Sequence, residues 1–452
     1  MNGPPLFLLP RHTGEVGWGK ATRPLFLMSD RGHLMATRRS FLALMASAGF
    51  APAVVSAQGA AKVVVIGGGF AGAACARALR KLDPNVDVTL VAAGKSFSAC
   101  PFNSSVIAGL REPAQQEFSY DSLVALGVKV ATVGATAVDP AAKTVTLAGG
   151  DKLAWDRLVI APGVDMNWTA ITGYTEAAAG KMPHAWTGGP QTLLLRRQLE
   201  AMEDGGLVVI SAPATPYRCP PAPYERASLI AHYLKAAKPK SKVLILDAKD
   251  GFSKQSLFEE AWAALYPGLI ERVPLSTGGS VTSVDPTTMT VKTDFEDYKA
   301  AVANIVPPQK AAAIAARAGV TDRTGWCPIE PVGFESTLQR GIHVLGDAAL
   351  MGGMPKAAHA AAEQGKVCAA AVVARLAGRE PSEPLLHNIC YSLAGPAYGF
   401  VELNKYRPEK GQLLAVPGAV SISPVGADGA MRAREASEDE AWFRALTAET
   451  FG

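Results

Sequence analysis

A short apolar strand followed at once by a cluster of glycines constrains this chain more than any other feature. Residues 62–66 read Lys-Val-Val-Val-Ile, and residues 67–72 read Gly-Gly-Gly-Phe-Ala-Gly before an alanine-rich stretch. A strand, a glycine turn and a helix in this order form the G-x-G-x-x-G pattern of dinucleotide-binding folds, where backbone N–H groups approach a pyrophosphate at the helix N-terminus. The predicted cofactor contacts in this turn are Gly67, Gly69, Phe70, Ala71 and Gly72.

The place where such folds usually hold the ribose of the dinucleotide has no acid here. A second strand is predicted at residues 86–91, and a carboxylate commonly follows it. The chain instead continues with Ala92, Ala93 and Gly94. Either another group binds the ribose, or the cofactor is retained by other means.

Two later segments are predicted to return to the first domain, which makes FAD the expected cofactor. Residues 155–163 and 341–347 each read as a buried strand that ends in small residues. We expect Asp347 to hydrogen-bond a ribityl hydroxyl, and Lys356, near the start of the next alanine-rich helix, to balance charge on the reduced flavin. The contacts predicted in these segments are Ala161, Gly163, Gly346, Asp347 and Lys356.

The middle of the chain has the rhythm of a second nucleotide-binding domain, with strands at 207–211 and 243–246 around a helix at 227–235. Where a glycine turn is needed, however, Pro213 and Pro216 occur, and proline offers no N–H to a phosphate. We therefore predict that this domain does not bind NAD(P).

The predicted fold class is α/β, with two Rossmann-like domains of the glutathione-reductase type and a smaller α+β C-terminal domain. After Gly378 the pattern becomes irregular. The predicted boundaries are 1–57 for an upstream extension and signal peptide, 58–172 and 311–378 for the two parts of the FAD-binding domain, 173–310 for the degenerate second domain and 379–452 for the C-terminal domain.

The N-terminus predicts export to the periplasm by the twin-arginine pathway. Arg38 and Arg39 precede an apolar run at residues 41–55, and Val-Ser-Ala at 55–57 is typical of a cleavage site. The run is short for a membrane span, so no integral span is expected. Residues 1–57 hold six of the 44 basic and two of the 40 acidic residues, which leaves 38 of each and no charge footprint for nucleic acid.

The six cysteines are the remaining candidates for chemistry. Cys75 and Cys368 fall on apolar helical faces, and Cys327 is predicted to pack in the core. Cys219 is predicted to start a helix near arginines, which would lower its pKa. Six cysteines allow fifteen pairings, and the sequence alone does not choose among them. No cysteine or histidine has metal-ligand spacing, and no C-x-x-C-H motif attaches a haem to this chain.

Several consecutive motifs resemble the flavoprotein subunit of flavocytochrome c sulfide dehydrogenase. They are RCPPAPYERAS, GWCPIEP, GIHVLGDA, MPKAAHAAAEQGKV, NICYSLAGPAYG, YRPEKG and LTAETFG. The resemblance implies that Cys100 bonds covalently to the flavin 8α-methyl group. It also implies that Cys219 and Cys390 form a redox-active disulfide against the flavin. A tethered FAD would explain why Ala92 is tolerated.

The resemblance implies that sulfide is the substrate and that a separate c-type cytochrome subunit is the electron acceptor. Hydrosulfide would attack the disulfide, leaving a persulfide on one cysteine and a thiolate on the other, and two electrons would pass to FAD. Glu225 either moves protons there or only pairs with Arg226 or Arg218 at the surface. The alternatives are a sulfide:quinone oxidoreductase, an NAD(P)H-dependent disulfide reductase, which the prolines oppose, and an auxiliary flavoprotein that maintains thiol carriers in sulfur oxidation.

Overall fold

The glycine-turn segment forms the centre of a parallel sheet. In the computed structural model, which describes residues 59–452, strand β1 (Lys62–Ile66) leads through the turn into helix α1 (Phe70–Leu82). Val63, Val64 and Val65 are buried, because both faces of a parallel sheet are covered and its strands are therefore apolar throughout. The predicted signal peptide lies outside the described residues.

The elements that follow up to residue 166 complete the first sheet and surround the turn. They are β2 (Asp87–Val91), β3 (Ser96–Ser98), α2 (Asn103–Ile107), β4 (Glu117–Ser119), α3 (Asp121–Ala125), β5 (Lys129–Ala131), β6 (Ala135–Asp139), β7 (Thr144–Leu147), β8 (Lys152–Ala154), β9 (Arg157–Ile160) and β10 (Val164–Met166). The strands β6, β7 and β8 form an antiparallel sheet of their own.

The middle of the chain builds a second parallel sheet. Its elements are α4 (Pro190–Ala201), β11 (Leu207–Ala212), α5 (Ala222–Ala237), β12 (Lys242–Asp247), α6 (Gln255–Leu265), β13 (Ile270–Val273), β14 (Ser283–Asp285), β15 (Thr290–Lys292), β16 (Asp297–Lys299), β17 (Val302–Ile305) and β18 (Gln309–Ala311). The sheet has the order β13-β12-β11-β17, whereas β14, β15 and β16 form a small antiparallel sheet.

The last part of the chain returns to the first sheet and then forms a separate antiparallel layer. Its elements are α7 (Ala313–Arg317), β19 (Cys327–Pro328), β20 (Ile342–Val344), β21 (Ala349–Leu350), α8 (Ala358–Leu376), β22 (Leu386–Gly395), β23 (Tyr398–Glu409), β24 (Gln412–Ala415), β25 (Ser421–Ile422) and α9 (Gly429–Thr450). Strand β20 pairs with β9, which gives the first sheet the parallel order β20-β9-β1-β2-β5. Two parallel sheets with helical crossovers confirm the predicted α/β class, while the predicted domain boundaries stay predictions.

Helices α1 and α8 cross closely beside the first sheet because small residues meet at the crossing. A Cβ placed on Gly365 would lie 2.4 Å from the carbonyl oxygen of Ala71 and 2.9 Å from the amide nitrogen of Cys75. Cys75 and Cys368 are buried in this region and Cys327 is buried elsewhere in the same core, as predicted. The contact fixes the N-terminus of α1, and therefore the glycine turn, against α8.

The C-terminal region contains the strands and the helix of the predicted α+β domain, although the sequence pattern after Gly378 is irregular. Strands β22 and β23 form a long antiparallel hairpin in which Cys390 lies opposite Glu402. Helix α9 then packs against this hairpin with a buried face that includes Arg432 and Asp439. Within residues 59–452, no helix is both long enough and apolar enough to span a lipid bilayer.

Candidate active site

Two neighbouring cavities lie where the glycine turn, the loop before α5 and the start of α8 meet. The first, which we call the glycine-turn cavity, has a volume of about 430 Å³ and extends from Gly67 to Asp347, which lies beyond β20. The second, the thiol cavity, has a volume of about 80 Å³. The larger volume is typical of sites for organic ligands, and the smaller has room for only about two or three molecules the size of water. The residues that line both cavities are Cys100, Pro101, Arg218, Cys219, Ala357 and Ala358.

The glycine turn has the geometry that a dinucleotide pyrophosphate requires. Gly67 has φ of 106°, and a Cβ there would lie 2.1 Å from the carbonyl oxygen of Ala161. A Cβ on Gly72 would lie 1.9 Å from the carbonyl oxygen of Gly67, so this position also requires glycine. Helix α1 begins at Phe70 with no side-chain cap, so its first N–H groups are free to bind a ligand.

Most of the predicted cofactor contacts line the glycine-turn cavity. The lining residues among them are Gly67, Gly69, Phe70, Ala71, Cys100, Ala161, Gly163, Gly346 and Asp347. Gly72 instead packs beneath the turn. Arg218 Nη1 lies 3.9 Å from Asp347 Oδ2. Burial raises the pKa of Asp347, although Arg218 and Lys356 oppose this effect. The Asp347 carboxylate accepts no hydrogen bond from a side chain within residues 59–452, so it is available to a ligand hydroxyl.

Lys356 does not line the glycine-turn cavity. Its Nζ donates hydrogen bonds to the carbonyl oxygens of Asp347 and Ala349, both at 2.7 Å, and lies 4.0 Å from the centroid of the Trp326 ring. Burial lowers its pKa to about 8. In the part of the chain that the structure describes, the one cationic side chain lining this cavity is Arg218, and the role predicted for Lys356 stays a prediction.

The ribose end of the cavity lacks a carboxylate, as the sequence at Ala92 indicated. The chain after β2 contributes Ala93, Gly94 and Ser96 to the lining. Asp347 is the one carboxylate among the described residues of this lining, and it comes from the other end of the sheet. The turn, the free helix N-terminus and Asp347 fit FAD, whose ribose would meet small and hydroxyl-bearing residues.

Three free thiols face these cavities. Cys100 and Cys219 line both cavities, whereas Cys390 lines only the thiol cavity. Cys219 lies in the proline-rich loop between β11 and α5, and its amide donates a 2.7 Å hydrogen bond to the carbonyl oxygen of Lys356. The structure thus brings Cys219 and Cys390, 171 positions apart in the sequence, to one small cavity as thiols, without a bond between them.

The lowered pKa predicted for Cys219 is wrong. Helix α5 begins at Ala222, so Cys219 lies before the helix rather than on its first turn. Burial raises the Cys219 pKa well above its usual value, and Cys390 and Glu225 add to this effect. Burial also raises the pKa of Cys390, but Lys254 opposes the rise there.

Glu225 lies inside the thiol cavity and not in a surface ion pair. Its Oε2 accepts a hydrogen bond of 3.3 Å from the amide of Leu393. No salt bridge joins it to Arg226 or Arg218, since Arg226 donates to the carbonyl oxygens of His184 and Ala185. Burial raises the pKa of Glu225 to about 7, which places its titration where proton transfer at neutral pH needs it.

Sequence reasoning missed two groups at this site. Lys254, just before α6, donates from Nζ to the carbonyl oxygen of Cys390 at 2.7 Å and to Cys390 Sγ at 3.3 Å. Asp439 of α9 lines the thiol cavity, and burial raises its pKa well above the usual range, with Glu225 adding to the rise. Neither residue lies in a recognisable motif, so the sequence contained no signal for them.

Backbone strain concentrates around the thiol cavity. Eight non-glycine residues between 59 and 452 have positive φ, and four of them lie at this site. They are Phe102 (65°), Ala185 (46°), Cys219 (57°) and Lys254 (61°). Each such conformation costs about 1–3 kcal/mol and persists only where the surroundings impose it, which is typical of functional sites.

The second parallel sheet offers no free carboxylate at the position where a ribose ligand would lie. Asp247, at the end of β12, has the position of a ribose ligand, but it is fully buried in bonds to the protein. It pairs with Lys249 at 2.6 Å and Arg272 at 2.8 Å, and the Tyr224 hydroxyl donates to it at 2.7 Å. Across residues 59–452, no cluster of three His, Cys, Asp or Glu residues has metal-site geometry.

Three family models match successive parts of the chain. The model for pyridine nucleotide-disulphide oxidoreductases matches residues 61–194. The model described as the central part of the sulfide dehydrogenase [flavocytochrome c] flavoprotein chain matches residues 192–307. The model described as flavocytochrome c sulphide dehydrogenase, flavin-binding, matches residues 382–451.

Individual relatives agree with these models. The flavoprotein chain of a flavocytochrome c sulfide dehydrogenase from Chlorobaculum thiosulfatiphilum is 54% identical over 48 residues, which are 11% of this chain and all of that sequence. The sulfide-quinone reductase of Aquifex aeolicus is 35% identical over 102 residues, 22% of this chain and 24% of that protein. The crystal structure of the Aquifex aeolicus sulfide:quinone oxidoreductase has the same fold, with a TM-score of 0.67 at 19% identity over 87% of this chain and 92% of that one. The chain therefore belongs to the family of flavoprotein subunits of flavocytochrome c sulfide dehydrogenase.

Proposed function

We propose that this protein is a periplasmic FAD-dependent sulfide dehydrogenase that passes electrons to a separate c-type cytochrome subunit. The observation that carries the proposal is the position of Cys219, which borders both the cavity that fits FAD and the small cavity that contains Cys390. A sulfur atom at this junction connects a site for a few-atom substrate with a redox cofactor. The name of the family supports sulfide as the substrate and a cytochrome as the partner.

The positions of the two sulfurs assign different roles to them in a disulfide cycle. Hydrosulfide enters the thiol cavity and attacks Cys390 Sγ, which breaks the disulfide and leaves a persulfide on Cys390 and a thiolate on Cys219. A second hydrosulfide takes the outer sulfur as hydrogen disulfide, which leaves Cys390 as a thiolate. The proton that the product loses goes to Glu225.

Bound FAD would supply an acceptor for the two electrons of the dithiolate and a donor of single electrons to a haem. The chain contributes a binding turn, the Arg218 cation beside the cavity, and the two cysteines, which re-form their disulfide as the electrons leave. We further propose that Cys100, on the wall shared by both cavities, forms the covalent bond to the flavin that the family resemblance implies.

Replacement of the two cysteines tests the proposal. We expect Cys219→Ser and Cys390→Ser to abolish anaerobic bleaching of the flavin absorbance by sulfide, while dithionite still bleaches both proteins. Cys327→Ala is the matched control, since this thiol is buried and lines neither cavity, and its bleaching rate stays within about twofold of wild type. Undiminished bleaching of Cys219→Ser by sulfide contradicts the proposal.

The second candidate function is sulfide:quinone oxidoreduction, which the shared fold favours. The two functions differ in the acceptor and not in the sulfide half-reaction. We expect sulfide oxidation to reduce a c-type cytochrome rapidly and a short-chain quinone slowly, and the reverse order of rates would establish the quinone activity. Loss of both activities with a retained flavin would instead favour the auxiliary role with thiol carriers.

A further inference from the structure

One buried ammonium group points at the sulfur of Cys390. Lys254 is 5% exposed, and its Nζ lies 3.3 Å from Cys390 Sγ and 2.7 Å from the carbonyl oxygen of the same residue. The bond to the carbonyl oxygen anchors the ammonium group and so holds it beside Sγ. The Lys254 backbone is itself in the left-handed region, with φ of 61°, which directs the side chain inwards from the residue before α6.

Lys254 is committed to Cys390 and to no carboxylate. No salt bridge joins it to an acid in the described part of the chain, although acids surround the site. The two arginines that line the thiol cavity are used elsewhere, because Arg226 binds Asn304 and two carbonyl oxygens, and Arg218 lies near Asp347. A buried ammonium group is stabilised most by an anion in direct contact with it, and the side-chain atom within hydrogen-bond distance is Cys390 Sγ, so the site favours a negative charge on that sulfur.

We propose that Lys254 is a catalytic residue that binds sulfur anions at Cys390: the incoming hydrosulfide, the persulfide anion carried by Cys390 Sγ, and the thiolate left when the outer sulfur departs. For hydrosulfide and the persulfide anion the inference rests on the proposed function, whereas for the Cys390 thiolate it rests on the geometry alone. It also explains the division of roles, because no ammonium among residues 59–452 lies within hydrogen-bond distance of Cys219 Sγ. Loss of a charge-assisted hydrogen bond in a buried site should lower the thiolate population by about tenfold or more.

Other groups near Cys390 also influence its pKa. The titratable or charged side chains that line the thiol cavity beside Cys390, or that act on its charge, are Cys100, Arg218, Cys219, Glu225, Arg226, His359, Tyr391, Glu402, Tyr406 and Asp439. Glu402 and Glu225 raise the Cys390 pKa and so oppose Lys254. Removing the ammonium takes away the cation that opposes burial, Glu402 and Glu225 at Cys390, so the thiolate population of Cys390 falls.

The test measures the pH dependence of alkylation of Cys390 in the reduced flavin-containing protein, by peptide mass spectrometry with iodoacetamide as the probe. We expect Lys254→Met to slow alkylation of Cys390 about tenfold or more at neutral pH and to move its midpoint upwards. Lys254→Arg should restore most of the rate. Cys219 in the same samples is the internal control and should change much less. An unchanged Cys390 profile in Lys254→Met overturns the proposal, whatever the activity with sulfide.

A second readout separates this inference from the proposed function. After one equivalent of sulfide, persulfide on Cys390 is trapped by alkylation and quantified in the same peptide. We expect a lower yield in Lys254→Met than in wild type and recovery in Lys254→Arg. An equal yield overturns the role of Lys254 in holding the persulfide. Absence of persulfide from the wild-type protein refutes the proposed function, whereas the thiolate result from alkylation stands by itself.

Discussion

The carboxyl group of Glu225 gives the most quantitative prediction. It lies in the thiol cavity with its Oε2 hydrogen-bonded to the amide of Leu393, and burial raises its pKa from 4.5 to about 7. The substitution Glu225→Gln keeps the size of the side chain and an acceptor for Leu393 but removes the titration. Comparison of the two proteins therefore isolates the energetic effect of this single proton.

The rise of the Glu225 pKa from 4.5 to about 7 makes a contribution of about 3 kcal/mol to the free energy of unfolding, and this contribution depends on pH. Between pH 4.5 and 7 the folded protein keeps the proton that the unfolded chain has lost, so this contribution is complete at low pH and disappears as the pH rises through 7. Wild type should therefore lose about 2.5 kcal/mol relative to Glu225→Gln between pH 5 and pH 8. The free energy of unfolding of Glu225→Gln, measured relative to that of wild type, should therefore be higher at pH 8 than at pH 5.

Thermal unfolding of both proteins, with flavin bound, measures this effect. The Tm of wild type minus the Tm of the variant is determined at pH 5 and at pH 8, and the two values are compared. One kcal/mol shifts Tm by about 2–4 °C in chains of 150–250 residues and by less in longer ones, so the Tm of wild type relative to the variant should fall by about 3–5 °C between the two pH values. Parallel Tm changes in the two proteins would show that Glu225 titrates normally, and its role as a proton acceptor near pH 7 would be refuted.

Two further predictions concern the cofactor. Gly365→Ala should lower Tm and flavin content, because its Cβ would clash with the backbone at the start of α1 and force α8 away from it, at a cost of about 1–3 kcal/mol. Gly429→Ala is the control, and it should leave both quantities unchanged or slightly raised because its Cβ would meet no atom within 4 Å. Equal Tm values for the two variants would contradict the close helix crossing. Cys100→Ser should release flavin into the supernatant on acid precipitation, whereas wild type should give a yellow pellet, and a colourless wild-type pellet would exclude the covalent bond.

The parts of the fold that follow from local pattern were predictable from the sequence. The strand at 62–66, the glycine turn and the two later strands that rejoin the sheet all depend on short apolar runs that end in small residues, and such runs determine parallel strands directly. The glycines at 67 and 72 are fixed by close approach of backbone atoms, which any fold of this type requires.

Helix α9 shows why the sequence pattern after Gly378 is irregular although the region folds into regular elements. Its buried residues recur at helical spacing, but they include Arg432, Glu435, Asp439 and Thr447 as well as Phe443 and Leu446. Arg432 is compensated by ion pairs with Glu260 and Glu435. A hydrophobic stripe is the usual signal of an amphipathic helix, and here five of the eight buried residues are polar or charged, so the periodicity was hidden.

The electrostatics of the site were not predictable because they depend on burial. Cys219 has an arginine beside it in the sequence, but desolvation outweighs that charge and raises its pKa. Lys356 lies near Asp347 in the sequence, yet its ammonium binds two carbonyl oxygens of the same loop. Lys254 approaches Cys390 from 136 positions away, a contact that only the tertiary structure creates.

The walls of the glycine-turn cavity come from segments far apart in the chain, and this separation determines when the cavity can form during synthesis. The turn at Gly67 leaves the ribosome roughly 290 residues before Ala361, the last residue in the chain order to line the cavity. At translation rates of about 5–20 residues per second, the turn waits about 15–60 s for its opposite wall. Flavin capture is therefore a late event, and nascent chains that stall before Ala361 should accumulate in the cytoplasm colourless.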